Sequence, residues 1–189
     1  MSKSDLRKSL LKRRQSIAVQ EWQEKSLRLC SHLTDWSVFA QAETVLAYFS
    51  IRQEPDLKSL FTSPKTWGFS RCVGKTLVWH RWSPEDSLPL QRGAYGILEP
   101  HPDAPMIEPG AVDLLLVPAV ACDRRGYRLG YGGGFYDRLL SSPEWADKTA
   151  IAIVFDFAQL PSLPNDPWDQ RLVGVCTESG LFLIDESPV

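Results

Sequence analysis

The residues best suited to chemistry crowd into one stretch, Pro118 to Arg138, which reads PAVACDRRGYRLGYGGGFYDR. An apolar strand there passes into a helix through Gly130-Tyr131-Gly132-Gly133-Gly134-Phe135. Glycines accept positive φ and let a ligand approach the backbone closely. The helix beyond them offers unpaired N–H groups and the positive end of its dipole. Such a junction can cradle a phosphate. Asp137, just inside the helix, could hold a metal ion that bridges phosphates, and Arg128 adds positive charge beside the loop. The loop is not a P-loop, because no Gly-Lys-Ser/Thr follows, and its crowded glycines fit G-x-G-x-x-G poorly. Two plainer readings stand beside this one. The glycines could form only a turn between strand and helix, and Arg128 with Asp137 could be a surface ion pair of little energetic consequence.

The elements that must position this loop are legible in outline. Ser2 can cap an opening helix, with Asp5 three residues on. Leu6, Leu10, Leu11 and Ile17 suggest its apolar stripe. Lys3 and Arg7 lie four apart, hence on one face of that helix, where an ordinary solvated basic face is the plain expectation. A second helix is expected from about Val19 to Thr34. Strands are expected at Thr44–Ser50, Trp67–Val73 and Thr76–Trp82, with a short helix from Pro55 through Phe61. A proline-rich connection follows. Asp113–Cys122 reads as one continuous buried strand, and the glycine loop leads to a helix from about Phe135 to Leu140. Thr149–Phe155, Leu172–Cys176 and Leu181–Ile184 complete the strands. This order predicts an α/β fold: a three-layer, open, mostly parallel sheet with helices on both faces. A single domain is expected over 1–189. In such sheets ligands sit at the carboxyl ends of the strands.

The string Gly126 to Arg138, GYRLGYGGGFYDR, closely resembles the signature of the 5-formyltetrahydrofolate cyclo-ligase (methenyltetrahydrofolate synthetase) family. Further similarities run in the family's order along nearly the whole chain. They are Lys3-x-x-Leu6-Arg7 with Arg14, Ala47-Tyr48-Phe49-Ser50 followed by Glu54, and Trp67-x-Phe69-x-Arg71-Cys72. Tyr95-Gly96-Ile97-x-Glu99-Pro100 and Asp169-Gln170-x-Leu172 with Thr177-Glu178 complete them. The resemblance implies a fold like that of the sugar-phosphate isomerases and CoA-transferases. It implies cyclisation of 5-formyltetrahydrofolate to 5,10-methenyltetrahydrofolate with ATP as co-substrate, Mg2+ as cofactor, and release of ADP and phosphate. Phosphorylation of the N5-formyl oxygen would give an iminium phosphate; N10 would attack its carbon, and phosphate would depart as the ring closes.

The resemblance also assigns residues. Lys3, Arg7, Arg128, Gly130, Gly132, Gly133, Gly134, Phe135 and Tyr136 would bind ATP. Asp137 and Asp169 would be the metal ligands, with Asp166 a nearby competitor for the second place. Phe49, Glu54, Tyr95, Tyr131 and Phe135 would meet the folate, Glu54 by accepting hydrogen bonds from pterin N–H groups and the rings by flat contact. Four positions depart from the family's pattern: Phe135 for a tyrosine, Gly133 where some relatives carry lysine, Ser70 for a common proline, and Val173 for an aspartate. Trp67, Trp79 and Trp82 could be core or pocket wall. Without these resemblances Glu54, Asp169 and each aromatic would read as a helix-start acid, a turn residue and core packing.

Bulk properties exclude other classes. The net charge is −2, so nothing draws nucleic acid or anionic lipid in bulk and an anionic ligand needs a local site. The four cysteines, at 30, 72, 122 and 176, form no C-x-x-C pair, and the three histidines stand far apart, which argues against zinc and disulfides. The polar start carries no signal-peptide pattern. The apolar run Leu114–Cys122 contains a proline and is far short of the ~20 residues a span requires. A cytoplasmic monomer acting on small molecules, with no nucleic-acid or membrane partner, is therefore expected. A non-catalytic folate- or nucleotide-binding protein on the same fold is the alternative, and an isomerase-like or transferase-like enzyme a third.

Overall fold

Alternation along the central strands sets the layers. In β6 (Leu114–Pro118), Leu114 and Leu116 join one core, while Leu115 and Val117 join the other. In β9 (Thr149–Ile153), Ile151 and Ile153 fall on the first side and Ala150 and Ala152 on the second. A strand apolar on both faces must be covered on both. A computed structural model describes residues 2–184 and shows how.

A seven-stranded sheet has the order β12-β11-β9-β6-β1-β2-β3. Its remaining members are β1 (Thr44–Ala47), β2 (Thr66–Val73), β3 (Thr76–Arg81), β11 (Gly174–Thr177) and β12 (Gly180–Leu183). The five inner strands are parallel; the outer two each fold back as an antiparallel hairpin partner. One face is covered by α2 (Val19–Thr34) and α3 (Ser37–Gln41), through Leu29, Cys30, Leu33 and Phe39. The other face meets Leu10 of α1 (Lys3–Gln15) and Leu139 and Leu140 of α4 (Phe135–Leu140). It is also covered by a three-stranded sheet of β7 (Ala121–Asp123), β8 (Arg128–Leu129) and β10 (Gln159–Leu160). The expected three-layer, mostly parallel α/β sheet is thus present, with a small sheet as well as helices on its second face. Among the described residues no helix is long and apolar enough to cross a membrane.

Several local expectations need correction. Asp113–Cys122 is not one strand: the chain leaves the main sheet after Pro118, and Ala121–Asp123 pairs with β8 instead. Proline has no N–H to continue a ladder. The stretch from Gly126 to Gly134, expected to be glycine-rich loop throughout, carries β8 near its start. The expected helix from Pro55 contracts to a single 3-10 turn, Lys58–Leu60. The proline-rich connection contains a small hairpin, β4 (Gln91–Arg92) with β5 (Leu98–Glu99). Ser2 caps α1 as expected, in a reciprocal capping box with Asp5. Trp67 and Trp79 are core; Trp82 packs partly buried against the first core.

Asp123 anchors the entry to the glycine loop. It is fully buried and accepts from the backbone N–H groups of Arg125, Tyr127 and Leu163 and from the Arg125 guanidinium. Asp123→Ala would strand these donors. A loss of about 3–5 kcal/mol in a urea unfolding midpoint analysis is expected; a loss below about 1 kcal/mol would contradict this anchoring role.

Candidate active site

Strand β1 has β2 on one side and β6 on the other, so the chain's winding reverses there. A crevice opens at the carboxyl ends of strands at such a point. Here it is a cleft of about 1020 Å³. Its wall is built from the segment after β1, the end of β2, Pro118 after β6, the loop Arg128–Gly134, the start of α4, the 166–170 segment and the N-terminal turns of α1. Every residue expected at a site from the sequence lines it: Lys3, Arg7, Phe49, Glu54, Tyr95, Arg128, Gly130, Tyr131, Gly132, Gly133, Gly134, Phe135, Tyr136, Asp137 and Asp169.

One half of the cleft is charged and polar. Lys3 Nζ donates to Asp169 Oδ2 at 2.5 Å and to Asp166 Oδ2 at 2.7 Å. Partial burial works to lower the lysine's pKa, but hydrogen bonds to the two carboxylates win and raise it. Burial works to raise Asp169; Lys3 and the Asp166 N–H hold it below the usual carboxylate range. Arg7 Nε donates to the Gly130 carbonyl at 2.7 Å, so the basic face of α1 lies against the glycine loop rather than in open solvent. Arg128 is buried, and its guanidinium donates to Asp137 Oδ1 at 2.8 Å and to the Gln170 carbonyl at 3.0 Å. The Gln170 N–H donates to the same Asp137 oxygen at 3.2 Å. Asp137 and Asp169 therefore face the cleft from adjoining segments. Among the described residues no three His, Cys, Asp or Glu side chains gather into a metal cage.

The loop between these groups is exposed at Tyr131, Gly132 and Gly133. Gly132 has φ 101° and Gly134, the N-cap of α4, φ 65°. Helix α4 has only six residues, so its summed dipole is small and the loop's own N–H groups count for more. A Cβ on Gly132 would stand 3.8 Å from the Arg7 guanidinium carbon, an ordinary contact, yet the backbone angle disfavours any side chain. As a phosphate cradle, the loop would tolerate no side chain here: Gly132→Ala would then weaken nucleotide binding about tenfold in a titration while shifting the melting temperature by only a few degrees. Unchanged nucleotide affinity would separate this loop from phosphate binding.

The other half is aromatic with one buried acid. Phe49 stacks on Phe69, centroids 4.2 Å apart, and meets Trp82 edge-on at 5.1 Å. Tyr95, at the tip of the β4–β5 hairpin, meets Phe135 edge-on at 5.9 Å. Glu54 is 2% exposed. It follows Arg52 and Gln53, two non-glycine residues with φ of 47° and 55°. Left-handed backbone at such residues costs about 1–2 kcal/mol each and marks a turn its surroundings force. Trp22 Nε1 and Ser50 Oγ both donate to the Glu54 carbonyl at 2.8 Å, and the Ile51 N–H donates to its carboxylate at 3.1 Å. Tyr131 OH donates to Glu54 Oε1 at 2.8 Å. Burial raises the Glu54 pKa, with Arg14 the strongest opposing influence.

Sequence reasoning gave no role to several residues at the cleft or behind it. Arg14, known from the sequence only as part of the motif with Lys3 and Arg7, stands four residues after Leu10, on the buried face behind the cleft wall. Arg52, Trp168 and Arg138 line the cleft, and nothing in their spacing distinguishes them from surface residues.

The family model for the 5-formyltetrahydrofolate cyclo-ligase family matches residues 1–178. A relative from Mycolicibacterium smegmatis, named 5-formyltetrahydrofolate cyclo-ligase, is 33% identical over 189 residues, covering 93% of this chain and 93% of its own. One of the same name from Haemophilus influenzae is 27% identical, covering 92% and 96%. The solution structure of Aquifex aeolicus 5,10-methenyltetrahydrofolate synthetase superposes with a TM-score of 0.86 at 32% identity, covering 100% of this chain and 96% of that one.

Proposed function

The chain belongs to the 5-formyltetrahydrofolate cyclo-ligase family, and from that premise we propose that it cyclises 5-formyltetrahydrofolate to 5,10-methenyltetrahydrofolate at the expense of ATP. One observation carries the assignment of the cleft. The glycine loop touches both halves at once: Gly130 accepts from Arg7 on the charged side, while Tyr131 donates to Glu54 on the aromatic side. A direct phosphoryl transfer needs donor and acceptor in one enclosure and in line.

The division of labour follows from charge and shape. Lys3, Arg7, Arg128 and the N–H groups of Gly132–Tyr136 bind the triphosphate, lysine as a point charge and arginine as a fork. Glu54 accepts from the pterin N–H donors, and Phe49, Tyr95, Tyr131 and Phe135 flank the rings. Mg2+ fits the donor set: Asp137 and Asp169 supply two hard carboxylates, and phosphate oxygens and water supply the rest, as this cation prefers. When bound, the ion would neutralise charge on the phosphates. Both carboxylates are now matched by cations, Arg128 and Lys3. Lys3 would therefore turn from Asp169 toward the phosphates as nucleotide arrives.

In the reaction, the formyl oxygen takes the γ-phosphoryl group and ADP leaves. N10 attacks the activated carbon and loses its proton, and the C–O bond breaks to release phosphate. Ligand titrations test the two halves separately: Glu54→Gln should weaken 5-formyltetrahydrofolate binding about tenfold or more, the size expected when a buried charged acceptor is lost. Folate affinity equal to wild type would remove Glu54 from the site. Confinement to the cytoplasm and a monomeric state belong to this same reading.

A further inference from the structure

One deeply buried cation has no role in the reaction described above. Arg14 is 3% exposed, near the end of α1, on the same face as Leu10. Its guanidinium is spent on three segments. Nε donates to the Arg52 carbonyl at 3.0 Å, Nη1 donates to the Ala119 carbonyl at 3.2 Å, and Nη2 donates to Tyr131 OH. The same Nη2 stands 3.8 Å from Glu54 Oε1. The result is a relay in which Arg14 donates to Tyr131 and Tyr131 donates to Glu54. Its ends are fixed by the carbonyl after β6 and by the left-handed turn at Arg52 and Gln53.

A buried arginine needs partners for its donors, and here each of the three guanidinium nitrogens has one, at or just behind the cleft wall. Two of the three are the strained turn that presents Glu54 and the tyrosine that caps it. A lysine in this place would carry the charge but not the fork. Without the fork, the turn would be free to relax and Tyr131 to swing into solvent, where the residue is already 38% exposed.

We propose that Arg14 is a positioning residue which holds Glu54 and Tyr131 as one unit, so that the folate-facing acid and the glycine loop keep a fixed relative placement. This rests on Glu54 facing the folate. Charged and titratable groups meet Glu54 from every side: Arg14 of α1, Arg52 and Tyr48 of its own segment, Tyr131 of the loop and Tyr136 of α4. Burial pushes the carboxyl up, Arg14 pulls it down, and the three tyrosines stay neutral because burial raises each of them. Removing Arg14 therefore favours the protonated acid, which accepts less well, and the acid limb of folate binding should move to higher pH.

The test is a double-mutant cycle on the full chain, read as the dissociation constant for 5-formyltetrahydrofolate across pH. Arg14→Gln should weaken folate at least tenfold, leave ATP affinity within about threefold and move the acid limb upward. In the Glu54→Gln background it should add no more than about twofold. Fully additive losses, or an acid limb that stays in place, would overturn the coupling. Should Arg14→Gln fail to fold, Arg14→Lys serves. It should restore the acid limb but not the affinity, and wild-type affinity in that variant would contradict the role of the fork. If Glu54→Gln alone leaves folate binding intact, it is the assignment of Glu54 that fails, before Arg14 is tested.

Discussion

Lys3→Ala is expected to lower kcat/KM by about 10²–10³-fold, the usual cost of removing one fixed charge from a transferring phosphoryl group. The ammonium lies within hydrogen-bond reach of Asp166 and Asp169, on the N-terminal turn of α1. In the proposed reaction it exchanges those carboxylates for phosphate oxygens. The exchange would be favourable, because the carboxylates would gain the proposed metal as they lose the lysine. The variant should remain folded. Lys3 is about a quarter exposed, and a pair so placed contributes little to stability after solvent screening. A melting curve within a few degrees of wild type, with turnover largely lost, is the predicted pattern. Full turnover in Lys3→Ala would place the triphosphate elsewhere.

Asp137→Asn should cost about 10²-fold in kcat and raise the magnesium concentration needed for half-maximal rate. This substitution is informative because its structural effect is small. Arg128 and the Gln170 N–H both donate to a single oxygen, Oδ1, and the asparagine oxygen can still accept from both. What disappears is the negative charge and the second oxygen. Wild-type turnover at the same magnesium concentration would remove Asp137 from the metal's coordination. Equal losses in kcat and in thermal stability would instead mark it as a structural partner of Arg128.

Much of this architecture was legible in the sequence, and the exceptions share physical causes. Helix α4 falls at Phe135–Leu140 as read, because three glycines cannot carry a helix backward and the apolar pair Leu139–Leu140 needs a covered face. The central strands were legible for the same reason: no other short element buries both faces. Continuous burial, however, hides a change of sheet. Leu114–Pro118 and Ala121–Asp123 are almost equally buried, yet they belong to different sheets, and only the missing N–H of Pro118 hints at the break. The two-residue strands β8 and β10 are too short to carry any period.

The site divides similarly. The glycine loop and Asp137 stand out by local pattern, whereas the Lys3–Arg7 spacing alone reads as a solvated basic face and joins the site only through resemblance. Glu54 and Asp169 stood out only through resemblance, because their company in the cleft comes from segments over 70 residues away along the chain: Tyr131 for Glu54, Lys3 for Asp169. Arg14 was the deepest miss. Five other basic residues share its helix, and composition alone cannot tell which one the sheet will bury.

Two substrates and a magnesium ion are proposed to meet in this cleft, and the absorbance of the methenyl product tests it most directly. The purified protein would be mixed with 5-formyltetrahydrofolate, ATP and magnesium, and each omitted in turn. A rise in near-ultraviolet absorbance that requires all three, with ADP released in equal amount, is the predicted result. No rise under the complete conditions, with folate and nucleotide both still bound, would contradict it and leave a binding protein on a cyclo-ligase fold.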